Sequence, residues 1–188
     1  CNRPSINGLT HPGCQGRYAI DGCFSALVYK GIVKKLIYNF KYKPYLSDLK
    51  NSLVELFYEA IIQNEIFQKI YEKKPILVPI PLYKSRLQSR GYNHAQLLAK
   101  GLSKKLNLKI VEVLERTRVT KSQFGLDLKK RKENLKDAFI LNASYKILNV
   151  NVLLVDDILT TGSTLLEAAR TLKKHGAKKV CGLTLARG

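Results

Sequence analysis

The sequence predicts an α/β fold, a parallel sheet flanked by helices. Three observations lead there. Short apolar runs at 76–80, 150–155 and 180–185 alternate with stretches of helical periodicity. The run Val152 to Val155 ends in Asp156 and Asp157, and the small hydroxyl-rich segment Thr160-Thr161-Gly162-Ser163-Thr164 follows. A helical pattern then begins at Leu165, with Ala168, Ala169 and Leu172 on the same face. That order is strand, loop, helix, and open parallel sheets take their ligands at such carboxyl-terminal strand ends.

Residues 1–23 are rich in Gly, Pro, Asn and Cys and read as a small Cys-containing segment ahead of a 24–188 domain. Phe24 to Tyr29 alternate loosely as a strand. From Gly31, the apolar residues Val33, Leu36, Ile37 and Phe40 mark one face of a helix, with Lys34, Lys35, Lys41 and Lys43 on its other faces and end. A second helix is expected from Asp48, a candidate N-cap, to Tyr71. Ile76 to Ile80 form a strand that Pro79 and Pro81 terminate. Leu82 to Asn93 then reads as a basic loop carrying Lys84, Arg86 and Arg90, with Gly91 permitting a turn. Ala95, Leu98, Ala99, Leu102 and Leu106 align on the helix that follows. Ile110 to Leu114 is expected to be a third strand, ahead of the cation-dense stretch 115–136. Val150 to Val155 and Val180 to Leu185 supply the fourth and fifth strands, and Cys181 is a buried core thiol.

The 188 residues and 45% hydrophobic content suit one domain with an appended part. The chain begins at Cys1 and contains no Met, which implies that residues precede it in the intact protein. No apolar run reaches the roughly 18 residues of a membrane span, and no signal peptide is visible, so a cytoplasmic location is expected. Lys and Arg number 33 against 14 Asp and Glu, a net charge of +19. Such a chain attracts polyanions, although a lysine-rich solvated surface accounts for the same number.

The residue types at 156–164 indicate a chemistry. A helix N-terminus presents unpaired N–H groups and partial positive charge to an anion. Gly162 allows close backbone approach, and Thr160, Thr161, Ser163 and Thr164 add hydroxyl donors. Together they make a cradle for one phosphate monoester. Asp156 and Asp157 point to opposite faces if the strand continues through them, so at least one meets the crevice as an acceptor for sugar hydroxyls or metal-bound water. A ligand with both a phosphate and a ribose diol fits. A capped strand end explains neither the second acid nor the run of hydroxyls. A Walker-type loop fits less well, because no Gly-Lys-Ser/Thr follows the Gly. Arg86 and Arg90 suit pyrophosphate, since guanidinium offers planar paired donors. No Ser/His/Asp or Cys/His hydrolytic arrangement is apparent. Cys1, His11, Cys14 and Cys23 are of the types a tetrahedral zinc takes, but no C-x-x-C pair is present and a loop with free thiols is the alternative.

The 152–164 stretch resembles the signature of type I phosphoribosyltransferases. Val78-Pro79-Ile80-Pro81-Leu82 with Arg86, Arg90-Gly91-Tyr92-Asn93 and Ala95 is similar to a second block, and Arg116-Thr117-Arg118 through Gln123, Leu126, Arg131 and Asn134 to a third, of the ComF family of amidophosphoribosyltransferase-like competence proteins. Leu185-Ala186-Arg187-Gly188 looks like that family's ending, so the resemblance covers about 165 residues from Phe24 onward. It implies a type I phosphoribosyltransferase fold with a hood at 24–72, a pyrophosphate loop from Pro81 and a catalytic flap at 116–136. It also implies phosphoribosyl pyrophosphate and Mg²⁺ as ligands. Asp156 and Asp157 would hold the ribose hydroxyls, with Arg116 and Arg118 as the flap's catalytic cations. The family opens with paired C-x-x-C motifs in a zinc ribbon, where this chain has single cysteines. Tyr92 stands where Phe is commoner, and His94 stands where Gln is frequent and reads as a helix-start residue. The family's name connects it to DNA uptake. Single-stranded DNA and competence proteins are therefore candidate partners, and a ligand-sensing or DNA-associated module without turnover is the alternative reading. Tyr29, Tyr38, Phe40, Tyr42 and Tyr45 interleave with lysines in a manner suited to stacking on bases, or they pack the hood.

Overall fold

The computed structural model describes residues 7–42, 47–118 and 136–188. Four strands form one wholly parallel sheet: β1 (Gly22–Val28), β2 (Ile76–Pro79), β5 (Asn151–Leu159) and β6 (Lys179–Arg187), in the order β1-β6-β5-β2. The two central strands read as apolar runs because helices cover the sheet on both faces. On one face Leu153, Val155, Cys181, Leu183 and Leu185 meet α1 (Gly31–Tyr42), α2 (Ser47–Ile62), α3 (Glu65–Tyr71) and α5 (His94–Leu106) through Ile37, Phe57, Phe67 and Leu102. On the other, Val152, Leu154 and Val180 meet α6 (Ser163–Lys174) through Leu165, Ala168, Ala169 and Leu172. α2 packs closely on α5 at Gly101, where a Cβ would stand 2.4 Å from Val54 Cγ2. That contact sets the N-terminal helices against the body of the domain.

Three sequence expectations change. The helix expected over 48–71 is two helices, broken at Gln63-Asn64, because Asn64 Oδ1 accepts the Phe67 N–H at 2.9 Å and caps a new start. The segment expected as a loop at 82–93 contains a short helix, α4 (Lys84–Arg90), which Gly91 ends in the left-handed conformation at φ 78°. Ile110 to Leu114 does not join the sheet as a strand. Its backbone meets Leu77 through the Leu77 N–H to Lys109 and the Val111 N–H to the Leu77 carbonyl, and then turns away. The chain instead forms a two-stranded antiparallel ribbon of β3 (Leu114–Arg116) and β4 (Phe139–Leu141). This ribbon seats Arg116 over the Phe139 ring, 5.5 Å from its centroid. Most of the cation-dense 116–136 segment, from 119 to 135, lies outside the described residues. So do Lys43 and Tyr45. Among the described residues no helix is long and apolar enough to cross a membrane.

Candidate functional site

β5 does not stop at the acids. It runs on to Leu159, ending at the loop that starts α6. Beyond its carboxyl end lies a cavity of about 310 Å³, lined by Asp156, Asp157, Thr160 and Thr164 from this side. Arg86 and Arg90 of α4 and Arg116 of β3 enter from a second side. Lys41 of α1 and Asn93 and His94 at the start of α5 close a third. Four separate segments of the chain thus converge where parallel-sheet topology puts ligands. A larger hollow of about 720 Å³ lies at the opposite edge, where Asn151 and Lys179 begin β5 and β6, and it holds no such arrangement of acids and arginines.

Of the predicted residues, both acids line the cavity, and so do Arg86, Arg90, Arg116, Thr160 and Thr164. Thr161 and Ser163 bond each other, Oγ1 to Oγ at 3.0 Å, and Ser163 is buried at the helix start. Gly162 sits at φ 73°, a conformation that L side chains adopt only with strain. A Cβ there would meet only Leu159 Cδ1, at 3.5 Å, so glycine is needed for the turn itself and not for lack of room. Lys84 opens α4 and Arg118 donates to the Lys136 carbonyl, and neither lines the cavity.

The acids sit in an unusual field. Burial, then the neighbouring Asp157, pushes the Asp156 carboxyl up to about 7, against the Asp157 N–H that donates to its Oδ1 at 2.9 Å and the cations Lys41 and Arg116. Arg116 is pulled down to about 10, first by burial and then by Arg86. Asp157 Oδ2 pairs with Lys41 Nζ at 2.8 Å, both side chains mostly shielded. Two carboxylates and four cations around one small volume make a site for a polyanion that carries hydroxyl donors.

Sequence reasoning missed three polar members, Lys41, Asn93 and His94, the last read only as a helix-start residue. Lys41 was assigned only to the helix surface, and nothing in α1 alone tells which of its lysines turns inward. Asn93 holds the start of α5 in place: its Nδ2 donates to the Ile80 carbonyl at 2.9 Å and its Oδ1 caps the Ala95 N–H at 3.1 Å. Its signal was available, since Asn before a helical pattern is a cap. The zinc set is not assembled among the described residues. Cys1 lies outside them, and no group of three His, Cys, Asp or Glu side chains is placed to hold a metal. His11 Nδ1 accepts the Gly13 N–H at 3.1 Å. Cys23 lies in β1, its Sγ packed beside Gly182, and burial pushes its thiol up to about 12.

Residues 58–188 match the phosphoribosyl transferase domain. The chain belongs to the phosphoribosyltransferase domain family. Within it, similar curated proteins are those of the ComF type. Competence protein F of Haemophilus influenzae is 36% identical over 154 residues, 81% of this chain and 66% of that one. Competence protein ComFC of Bacillus subtilis is 30% identical over 165 residues, 87% of this chain and 63% of the other. DNA utilization protein YhgH of Escherichia coli K12 is 39% identical over 105 residues, 55% and 45%. The chain therefore spans less than two thirds of the length of these relatives. A purine phosphoribosyltransferase of Pyrococcus horikoshii is similar in structure, with a TM-score of 0.42 at 16% identity over 73% of this chain and 83% of that one. The family match reaches from α2 to the end of β6, so it includes every element that lines the cavity except α1.

Proposed function

We propose that this phosphoribosyltransferase domain binds phosphoribosyl pyrophosphate with Mg²⁺ at the end of β5 and transfers the phosphoribosyl group to a nitrogen nucleophile. The observation that carries the reading is the convergence of the Asp156–Asp157 pair, the Thr160–Thr164 loop and Arg86, Arg90 and Arg116 on one cavity. The 5′-phosphate lies against the N-terminus of α6, where backbone N–H groups and the Thr160 and Thr164 hydroxyls receive it. The ribose hydroxyls meet the acids. The pyrophosphate lies toward the arginines, whose charge offsets that of the departing group. As the nucleophile's lone pair forms the bond to C1, the C1–O bond breaks and its electrons leave with pyrophosphate. The protein's contribution is orientation and a fixed field for the leaving charge.

The site fits Mg²⁺. Its oxygen donors are hard, and that ion keeps most of its shell for waters and substrate phosphate oxygens. Asp156 and Asp157 would face those waters. When bound, Mg²⁺ supplies charge neutralisation for the pyrophosphate.

A second reading, a ligand-sensing or single-stranded-DNA-associated module, is favoured by a different observation. α1 leaves Tyr38 58% exposed, beside exposed Lys34 and Lys35, while Phe40 of the same helix is buried. An exposed aromatic among cations suits base stacking and backbone contact. The names of the relatives, competence protein and DNA utilization protein, point the same way. Calorimetry with phosphoribosyl pyrophosphate and Mg²⁺, followed by a pyrophosphate-release screen against bases and amines, separates the readings. Binding with release supports transfer. Binding without release supports a sensing module, and no binding refutes the assignment of the site.

A further inference from the structure

His94 is the first residue of α5 and is 2% exposed. Phe40 packs against its ring edge-on at 5.1 Å, and Tyr92 lies tilted at 4.8 Å. Tyr92 Oη donates to the Phe40 carbonyl at 2.8 Å, which ties the end of α1 to this turn. The imidazole is also hydrogen-bonded to the Lys41 backbone. Its Nε2 is buried without a hydrogen-bond partner among the described residues, which leaves that bond to Nδ1. The bond favours the protonated ring, so Nδ1 is the donor. In the neutral ring Nε2 is then a bare acceptor. The charged groups facing it are Asp157 of β5, Arg90 of α4 and Lys41 of α1, and burial keeps the ring neutral by lowering its pKa.

A buried acceptor without a donor is costly, and such groups are retained where something else satisfies them. His94 is part of the cavity wall. A ribose diol brings two O–H donors. The acids beside His94 are already partly engaged, Asp157 Oδ2 by Lys41 at 2.8 Å and Asp156 Oδ1 by the Asp157 N–H at 2.9 Å. We propose that His94 is a ribose-recognition residue, its Nε2 accepting a hydrogen bond from a ribose hydroxyl of the bound ligand beside Asp157. This rests on the reading of the cavity as a phosphoribosyl site and deepens it. Nε2 lies beneath the surface of the cavity wall, so ligand binding must uncover it.

Two substitutions separate this role from packing. His94→Asn keeps a donor near the position of Nδ1 and removes the acceptor at Nε2. His94→Gln carries an amide out to the position of Nε2. Calorimetry with phosphoribosyl pyrophosphate and Mg²⁺, and separately with inorganic phosphate, is run on the parent and both variants. H94N is expected to weaken phosphoribosyl pyrophosphate about threefold to tenfold, the worth of one neutral hydrogen bond. Phosphate affinity should stay unchanged, and H94Q should return to within about twofold of the parent on the same grounds. Unchanged affinity in H94N overturns the proposal. So does an equal loss for phosphate, or a loss in H94Q as large as in H94N, because each marks a packing role. A parent that binds no phosphoribosyl pyrophosphate refutes the reading of the site itself, before the variants are compared. If the variants do not fold, ¹⁵N-histidine spectra of the parent decide: the His94 Nε2 resonance moves when phosphoribosyl pyrophosphate is added, and a static resonance overturns the assignment.

Discussion

Replacing Gly162 tests the proposed phosphate cradle most directly. Its φ of 73° is left-handed, and the residue forms the N-cap of α6 with no side-chain bond of its own. An L side chain in that conformation costs about 1–2 kcal/mol. Space is not the obstacle, since a Cβ meets only Leu159 Cδ1 at 3.5 Å. Gly162→Ala should therefore fold and lose about 1–2 kcal/mol of stability, a fall of roughly 2–8 °C in Tm for a chain of this size. Gly162→Val adds β-branching and should lose more. The strain is relieved if the turn flips to negative φ, and the flip turns a backbone N–H away from the ligand. One hydrogen bond to a charged group is worth about 1.5–3 kcal/mol, so affinity for phosphoribosyl pyrophosphate should drop roughly tenfold to a hundredfold. Thermal melts and calorimetry on the same preparations measure both. A G162V variant with parental Tm and parental affinity would refute the conformational argument and the placement of the phosphate together.

Asp156→Asn combined with Asp157→Asn should abolish the ribose contribution yet leave inorganic phosphate binding in place; a double variant that binds phosphoribosyl pyrophosphate as the parent does would make these acids structural. Because the folded-state pKa of Asp156 is raised to about 7, the folded chain holds a proton that the unfolded chain releases near the ordinary carboxylate range, so this residue's contribution to stability declines as pH rises from about 4 through 7. Melts of the parent and of Asp156→Asn across pH 4 to 8 should approach each other at the acid end and separate upward, with the variant more stable; parallel curves would show that Asp156 titrates normally. Lys41→Met removes a cation that lowers the Asp156 pKa, so the carboxyl should titrate still higher by ¹³C spectroscopy, and an unmoved titration would place Nζ elsewhere. Labelled single-stranded and duplex DNA should bind modestly and weaken steeply with salt. Insensitivity to phosphoribosyl pyrophosphate would place DNA on the exposed face of α1, competition would place it in the cavity, and no binding at low salt would leave composition as the account of the +19 charge.

The sequence alone determined the α/β class, the central strands and the hydroxyl-rich loop between β5 and α6, because these depend on local pattern. Apolar runs of strand length become the buried middle of a parallel sheet wherever helices cover both faces, and Val152–Val155 and Val180–Leu185 did so. The same locality explains the misreadings. Asn64 splits a long helical pattern because its side chain competes for the backbone, and Gly91 ends a helix that its polar composition disguised as a loop. Ile110 carries strand-like chemistry, yet only long-range pairing could show that the chain there grazes Leu77 and leaves, with Leu114–Arg116 joining Phe139–Leu141 instead. The composition of the cavity was the tertiary structure's to decide. Lys41 and His94 lie 53 residues apart, and each is about as far again or farther from Asp157. What brings them together is the packing of α1 against the turn before α5, through the Tyr92 bond to Phe40. A lysine on a helix carries no mark of which acid it will face, since charge pairing at a distance is set by the fold and not by the residues beside it.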